Sequence, residues 1–225
     1  IARNDSLIPA QPLPDRAQEF AERVHGLLDG QPKDEAAVAK AFNGMDEMLD
    51  LIAAGLYNIA SMLVGEGEGS IRVVEKAVAT ADVSDCTDPA ESRKRSRRAL
   101  CIAGLDTLTQ RDAGCLAAPQ GLEHAATCIG DDELDAAGVS SAELEQMIAG
   151  PERDRVRNWL ESLPTEMRAV FVLRAVAGFS TQETAEMLQT HGGPEAAGWS
   201  EDAVREIFRQ GLCSLASQVL QAAHR

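Results

Sequence analysis

Long apolar runs, a secretory leader and an excess of basic residues are all missing from this 225-residue sequence. No stretch reaches the roughly 20 apolar residues that a membrane-spanning helix requires, so we expect no membrane partner. The first residues show no basic segment followed by an apolar one, which predicts a cytoplasmic protein without a secretory signal. The formal net charge of −15 argues against non-specific coating of nucleic acid, because phosphate binding depends on lysine and arginine.

Paired cysteine spacings and catalytic motifs are also missing. An odd number of irregularly spaced cysteines predicts free thiols in a reducing compartment. Zinc is the less favoured alternative for the linker, since structural sites prefer four ligands and only Cys115, His124 and Cys128 are candidates there. No phosphate loop or nucleophile–base set stands out, so we predict no metal, no cofactor and no enzymatic activity. The five cysteines are Cys86, Cys101, Cys115, Cys128 and Cys213.

The sequence does show helical periodicity, and it has almost no strand pattern. It predicts an all-α fold with two small helical domains. In the first domain, Ser70 is predicted to cap a helix whose buried face consists of Ile71, Val74, Val78 and Ala81. The predicted segments are an N-terminal extension (1–30), a first helical domain (31–111), an acidic linker (112–150) and a second helical domain (151–225).

The acidic linker differs in composition from the segments on either side. It contains eight acidic side chains and no lysine or arginine, with glycine and alanine interspersed. Such a segment repels itself and buries little apolar surface. We therefore predict that residues 112–150 are mobile or only loosely packed, with one short helix near residues 142–148.

The second domain contains four predicted helices, and the last two form a helix-turn-helix in which the final helix would enter the major groove. Trp159 lies on the predicted buried face of the first of these helices. Ser180, followed three residues later by Glu183, forms a capping-box pattern that starts the third helix. Ser200 is the predicted start of the fourth helix.

The segments “LESLPTEMRAVFVLRAVAGFSTQETAEML” and “SEDAVREIFRQGLCSL” resemble region 4 of sigma-70 family factors, especially the small extracytoplasmic-function group. The shared pattern is a Leu-Pro opening, an arginine before an apolar run, a Gly-aromatic-Ser turn, and then Glu and Ala. The segment “LYNIASMLVGEGEGSIRVVEKAVATA” is more faintly similar to the family's polymerase-binding region 2. The matching region 4 residues include Leu163, Pro164, Arg168, Gly178, Phe179, Ser180, Glu183 and Ala185.

This resemblance implies a transcription initiation factor that binds RNA polymerase core and reads promoter DNA. An anti-sigma factor is a further partner that the family implies. Arg205 and Arg209 of the last helix would contact base edges or phosphate, with Thr181, Gln182 and Ser200 completing the predicted DNA contacts.

A dense basic run opens the third predicted helix of the first domain. One interpretation is a grip on phosphate or on an acidic partner. The other is a solvated helix start that balances the charge of the acidic linker. The run consists of Arg93, Lys94, Arg95, Arg97 and Arg98.

The sequence departs from the sigma pattern in three respects, and these keep a second hypothesis open. The turn before the last helix is lengthened by residues 189–199, and no aromatic residue lies between Tyr57 and Trp159, although DNA opening usually relies on aromatic stacking. The alternative function is a degenerate sigma-fold regulator that binds a polymerase or anti-sigma partner without initiating transcription. The third departure is acidic residues in the last helix, namely Glu201, Asp202 and Glu206.

Overall fold

The computed structural model describes residues 55–81, 88–120, 128–138 and 153–223. The chain divides into two compact units, Ile1–Met48 and Leu49–Arg225, and every described residue lies in the second. Helices make up the described secondary structure, which confirms the all-α prediction there. Among these helices, none has both the length and the apolar character needed to cross a bilayer. The predicted N-terminal extension and the 142–148 helix lie outside the described residues.

Three helices form the first part of the described fold. Helix α1 occupies residues 55–64, α2 spans Glu68–Thr80, and α3 spans Pro89–Arg111. Asp88 begins α3, since its Oδ1 accepts a hydrogen bond from the Ala90 amide at 2.9 Å, and proline occupies the first turn, where no amide partner is needed. Helices α2 and α3 pack against each other.

Helix α2 presents a different face to the core from the one its sequence predicts. It begins behind Gly67, at a positive φ of 109°, so Ser70 lies inside the helix and is fully buried. The Ser70 hydroxyl donates to the Gly67 carbonyl at 2.8 Å. The prediction that Ser70 caps the helix is therefore wrong, and Ile71 and Val78 are exposed because the buried positions are Ser70, Val73 and Ala77.

Parts of the acidic linker are packed into the core, contrary to the prediction of a loosely packed segment. Leu116 is completely buried, and a short helix, α4 (Asp131–Ala136), buries Leu134 while its acidic residues stay exposed. The composition is misleading here because two well-placed leucines anchor the described linker residues to the helices around them. The predicted domain boundaries at residues 111 and 150 stay predictions.

The C-terminal part consists of four helices and one short turn of helix. Helix α5 spans Arg153–Ser162, and α6 spans Thr165–Phe171 before widening into a π-helical turn over Val172–Val176. Helix α7 spans Thr181–His191 and α8 spans Glu201–Ala223, so the predicted order of four helices is confirmed. Trp159 of α5 is buried and packs edge-on against Phe171, with ring centroids 4.9 Å apart.

Helix α7 also packs on α3, which joins the C-terminal helices to the earlier ones. Asp106 of α3 accepts hydrogen bonds from Lys76 Nζ at 2.7 Å and pairs with His191 Nδ1 at 3.1 Å. Partial burial raises the pKa of Asp106, but the hydrogen bonds from Lys76 and His191 outweigh burial, and the net shift is downward. This carboxylate therefore ties α2, α3 and α7 together.

Candidate nucleic-acid interface

The N-terminus of α7 is closed by the predicted capping box. Ser180 Oγ accepts from the Glu183 amide at 3.1 Å, and Glu183 Oε2 accepts from the Ser180 amide at 2.8 Å. Gly178, at a φ of 79°, turns the chain sharply into this cap. Of the two predicted backbone contacts on α7, Gln182 is exposed, whereas Thr181 is only 9% exposed.

Removing the cap provides a direct test of this helix start. We expect Ser180→Ala to lower the free energy of unfolding by about 0.5–2 kcal/mol, because the Glu183 amide loses the hydroxyl oxygen that accepts its hydrogen bond. Ser180→Gly is the matched control and should cost only a few tenths of a kcal/mol. Urea denaturation of the full chain measures both changes. An alanine variant as stable as the wild type would contradict the cap.

The lengthened turn between α7 and α8 is ordered by contacts with the start of the linker. Pro194–Gly198 forms a 3₁₀ helix, and the Glu195 carbonyl accepts from the Ala118 amide at 3.1 Å. Trp199 is 1% exposed, and its indole Nε1 donates to the Leu116 carbonyl at 2.9 Å. The insertion therefore fixes the entry to α8 rather than leaving it loose.

Helix α8 begins behind Ser200, whose Oγ accepts from the Ala203 amide at 3.1 Å, so the predicted helix start is confirmed. The Arg205 side chain is one-third exposed, with Nε 3.7 Å from Asp135 and one guanidinium nitrogen 3.4 Å from Asp202. Ser200 and Arg205 are thus both reachable from solvent near the start of the predicted recognition helix.

Arg209, one turn further along α8, lies in a different environment. It is 8% exposed, and one guanidinium nitrogen is 2.6 Å from Glu206 Oε2. The other terminal nitrogen pairs with Asp131 at the start of α4. In this conformation the acidic helix α4 occupies the side of α8 that carries the two predicted DNA-reading arginines.

A disulfide joins the same two segments, Cys128 before α4 and Cys213 on α8, with Cα atoms 5.7 Å apart. The prediction that all five cysteines are free is wrong for this pair, because residues 85 positions apart share no local spacing signal. Bonding to Cys213 also removes Cys128 from the zinc set. Cys101 and Cys115 are free.

Arg174 is a structural residue that the sequence analysis did not single out. It is 8% exposed, donates to the Phe179 carbonyl at 2.7 Å and lies over the Phe208 ring, 5.2 Å from its centroid. Burial lowers its pKa, and nearby Asp135 opposes that shift. The contact with Phe179 holds the turn that precedes α7. The available signal for this role in the sequence was a single arginine within an apolar run.

The basic run at the start of α3 is divided between several environments. Lys94 Nζ lies 2.8 Å from Glu183, and its hydrogen bond is the main cause of the lowered pKa of that carboxyl. Arg95 pairs with Glu91 at 3.0 Å, while Arg93 is exposed and Arg97 and Arg98 are half-buried. Lys94 therefore connects α3 to the cap of α7, which supports a structural role for that member of the run.

Comparison with known protein families gives a match within the C-terminal helices. Residues 153–206 match the family model described as sigma-70, region 4. A search of the curated proteins and a search of the solved structures each gave no match. The matched segment runs from α5 into α8, so it includes Arg205 and ends before Arg209. Residues 153–206 are therefore similar to sigma-70 region 4, and they contain α7 and the start of α8, the two helices in helix-turn-helix order.

Proposed function

We propose that the protein is a sigma-70-family-like transcription initiation factor that binds RNA polymerase core and reads promoter DNA through α7 and α8. The observation that carries this proposal is the region 4 match over residues 153–206, which falls on a capped pair of helices in helix-turn-helix order. The proposed role is non-enzymatic, and it places the protein in the cytoplasm, where the polymerase and promoter are found.

The N-terminal part of α8 supplies the proposed base contacts. Ser200 and Arg205 are solvent-accessible there, and an arginine can donate two hydrogen bonds to a guanine edge in the major groove. Gln182, exposed on the first turn of α7, is placed to bind the phosphate backbone, which positions a protein without specifying sequence. Arg209 would join these contacts only after separating from Asp131.

Helix α2 offers a surface for the polymerase. Ile71 is 49% exposed and Val78 is 63% exposed, and they lie two turns apart on one side of the helix. Exposed apolar side chains at such spacing are suited to a protein partner. We assign this face to RNA polymerase core because the surrounding segment resembles the polymerase-binding region of the sigma family.

A degenerate regulator is the second candidate, and one observation favours it. Both predicted DNA-reading arginines face carboxylates of the chain itself, Arg205 at Asp135 and Arg209 at Asp131. A protein held in this state would bind a polymerase or an anti-sigma factor without reading DNA.

Run-off transcription with RNA polymerase core and a library of promoters separates the two candidates. The assays are run both with and without a dithiol reductant. We expect transcripts from a subset of promoters. Arg205→Ala should cost about 1–3 kcal/mol of discrimination at one base pair, because a single bidentate contact is lost. Exposed Thr190, on the far end of α7, provides the control variant Thr190→Ala, which should transcribe as the wild type does.

The polymerase contact is measured separately, by co-sedimentation of the full chain with core enzyme. Binding to core with no transcript from any promoter, in either redox condition, would establish the regulator instead. Absence of both binding and transcripts would contradict both candidates.

A further inference from the structure

The linker runs antiparallel to α8 and meets it at three successive points. Cys128 is bonded to Cys213, Asp131 pairs with Arg209, and Asp135 lies beside Arg205. On α8 these positions are four residues apart, so they form one stripe about 12 Å long on a single helix face. The disulfide therefore links the linker covalently to α8 at one end of the contact that covers Arg205 and Arg209.

The ion pairs alone hold the linker only weakly. The side chain of Asp131 is 77% exposed and that of Asp135 is 56% exposed, and solvent-exposed pairs contribute little because water and salt screen them. Leu134, 1% exposed, adds an apolar anchor between them. A tether that keeps α4 beside α8 raises its effective concentration to the millimolar range, where weak contacts persist.

The acidic helix competes for the groups that DNA would use. Phosphate and carboxylate bind guanidinium with the same bidentate chemistry, so Arg205 and Arg209 cannot satisfy α4 and DNA together. We propose that the Cys128–Cys213 disulfide is a redox latch, which holds α4 over the arginine stripe of α8 and lowers its affinity for DNA until a dithiol reduces it. This inference rests on the proposed function, in which α8 contacts DNA.

The reduction is a thiol–disulfide exchange with a dithiol, either one present in the cell or one added in the assay. Its thiolate attacks one sulfur of the pair, the Cys128–Cys213 bond breaks, and the other sulfur leaves as a thiolate that takes up a proton. The second thiol of the reductant then displaces the first protein sulfur. Two electrons pass to the protein, which gains two thiols, and the reductant becomes a cyclic disulfide. Cys128 is an exposed residue, which favours approach of the reductant from its side of the bond.

The free cysteines of the described chain are poor competitors in this exchange. Cys101 is completely buried, and burial raises the pKa of its thiol to about 12. Cys115 is half-buried, and burial together with Asp112 raises its pKa as well. Thiolate is the attacking species, so both thiols react slowly at neutral pH. The bonded pair is therefore the redox-responsive site of the described cysteines.

The test titrates a fluorescein-labelled duplex of random sequence, at low salt, with oxidised and dithiol-reduced full chain. Hydrogen exchange of residues 128–138 is followed in the same samples. We expect reduction to tighten DNA binding by roughly 5- to 150-fold, the usual range of coupling between two sites, and to speed exchange in that segment. Cys128→Ser should behave as reduced protein without reductant, and Cys115→Ser should keep the full redox response.

The outcomes separate the latch from the proposed function. Measurable DNA binding that is equal in both redox states overturns the latch and leaves the function standing. Faster exchange on reduction, with no DNA binding in either state, overturns both the DNA-reading function and the control of DNA affinity. Asp131→Asn with Asp135→Asn, in oxidised protein, provides a second check, because it should raise DNA affinity while the disulfide stays intact. An unchanged affinity in that double variant would also overturn the latch.

Discussion

Replacing Trp199 by alanine is expected to lower the free energy of unfolding by about 3–5 kcal/mol, the usual cost of truncating a buried tryptophan. The side chain is 1% exposed, and its indole donates to the Leu116 carbonyl at 2.9 Å. The substitution therefore opens a cavity and leaves a buried carbonyl without that donor. Urea unfolding of the full chain, followed by circular dichroism, measures the loss.

Two variants show where that loss comes from. Trp199→Phe keeps most of the apolar volume but lacks the N–H group, so its stability should fall between those of the wild type and the alanine variant. Glu195→Ala, at an exposed position of the same turn, should change stability by about 0.5 kcal/mol or less. An alanine variant at Trp199 that unfolds with the wild type would show that the inserted turn is not packed on the linker.

The contact of Trp199 with Leu116 shows what the long turn between α7 and α8 does in the fold. An insertion in a helix-turn-helix would be expected to tilt or release the final helix. Here the 3₁₀ helix over Pro194–Gly198 and the buried Trp199 bind the insertion to Leu116 and Ala118. The extra residues stabilise the position of α8 instead.

The features that sequence predicted well depend on neighbours along the chain. The capping box of Ser180 and Glu183 and the helix start at Ser200 involve residues three apart, so their signals are local. The burial of Trp159 follows from helical periodicity in the same way. The region 4 resemblance rests on this local register, and the family match over residues 153–206 confirms it.

The features that sequence missed depend on residues far apart. Nothing in the spacing of Cys128 and Cys213 pairs them, and the acidic composition of the linker concealed the burial of Leu134. The predicted buried face of α2 was wrong because the helix packs on the core through Ser70, Val73 and Ala77, which leaves Ile71 and Val78 at the surface. In each case tertiary packing decides between alternatives that the local pattern allows.

Arg209→Ala is expected to destabilise the protein by about 3–5 kcal/mol, the cost of breaking a buried ion pair from one side. The side chains of Arg209 and Glu206 are only 10% and 5% exposed, and they lie 2.6 Å apart. Without the guanidinium, the Glu206 carboxylate loses the cation that offsets its burial. Thermal and urea unfolding of the full chain measure the change.

Arg205→Ala is the matched control one turn earlier on α8. Its side chain is one-third exposed and its carboxylate partners are more than half exposed, so we expect a loss below about 1 kcal/mol. Replacing both members of the buried pair, as Arg209→Met with Glu206→Leu, should recover most of the stability lost in Arg209→Ala, because neither buried charge remains. Equal stabilities for Arg205→Ala and Arg209→Ala would contradict the buried pair. The two variants therefore differ as tests of DNA binding, because only Arg209→Ala is expected to lose much stability. A loss of DNA binding in Arg209→Ala reports a lost contact only where unfolding measurements show that the variant is folded. Arg205→Ala tests the base contact directly.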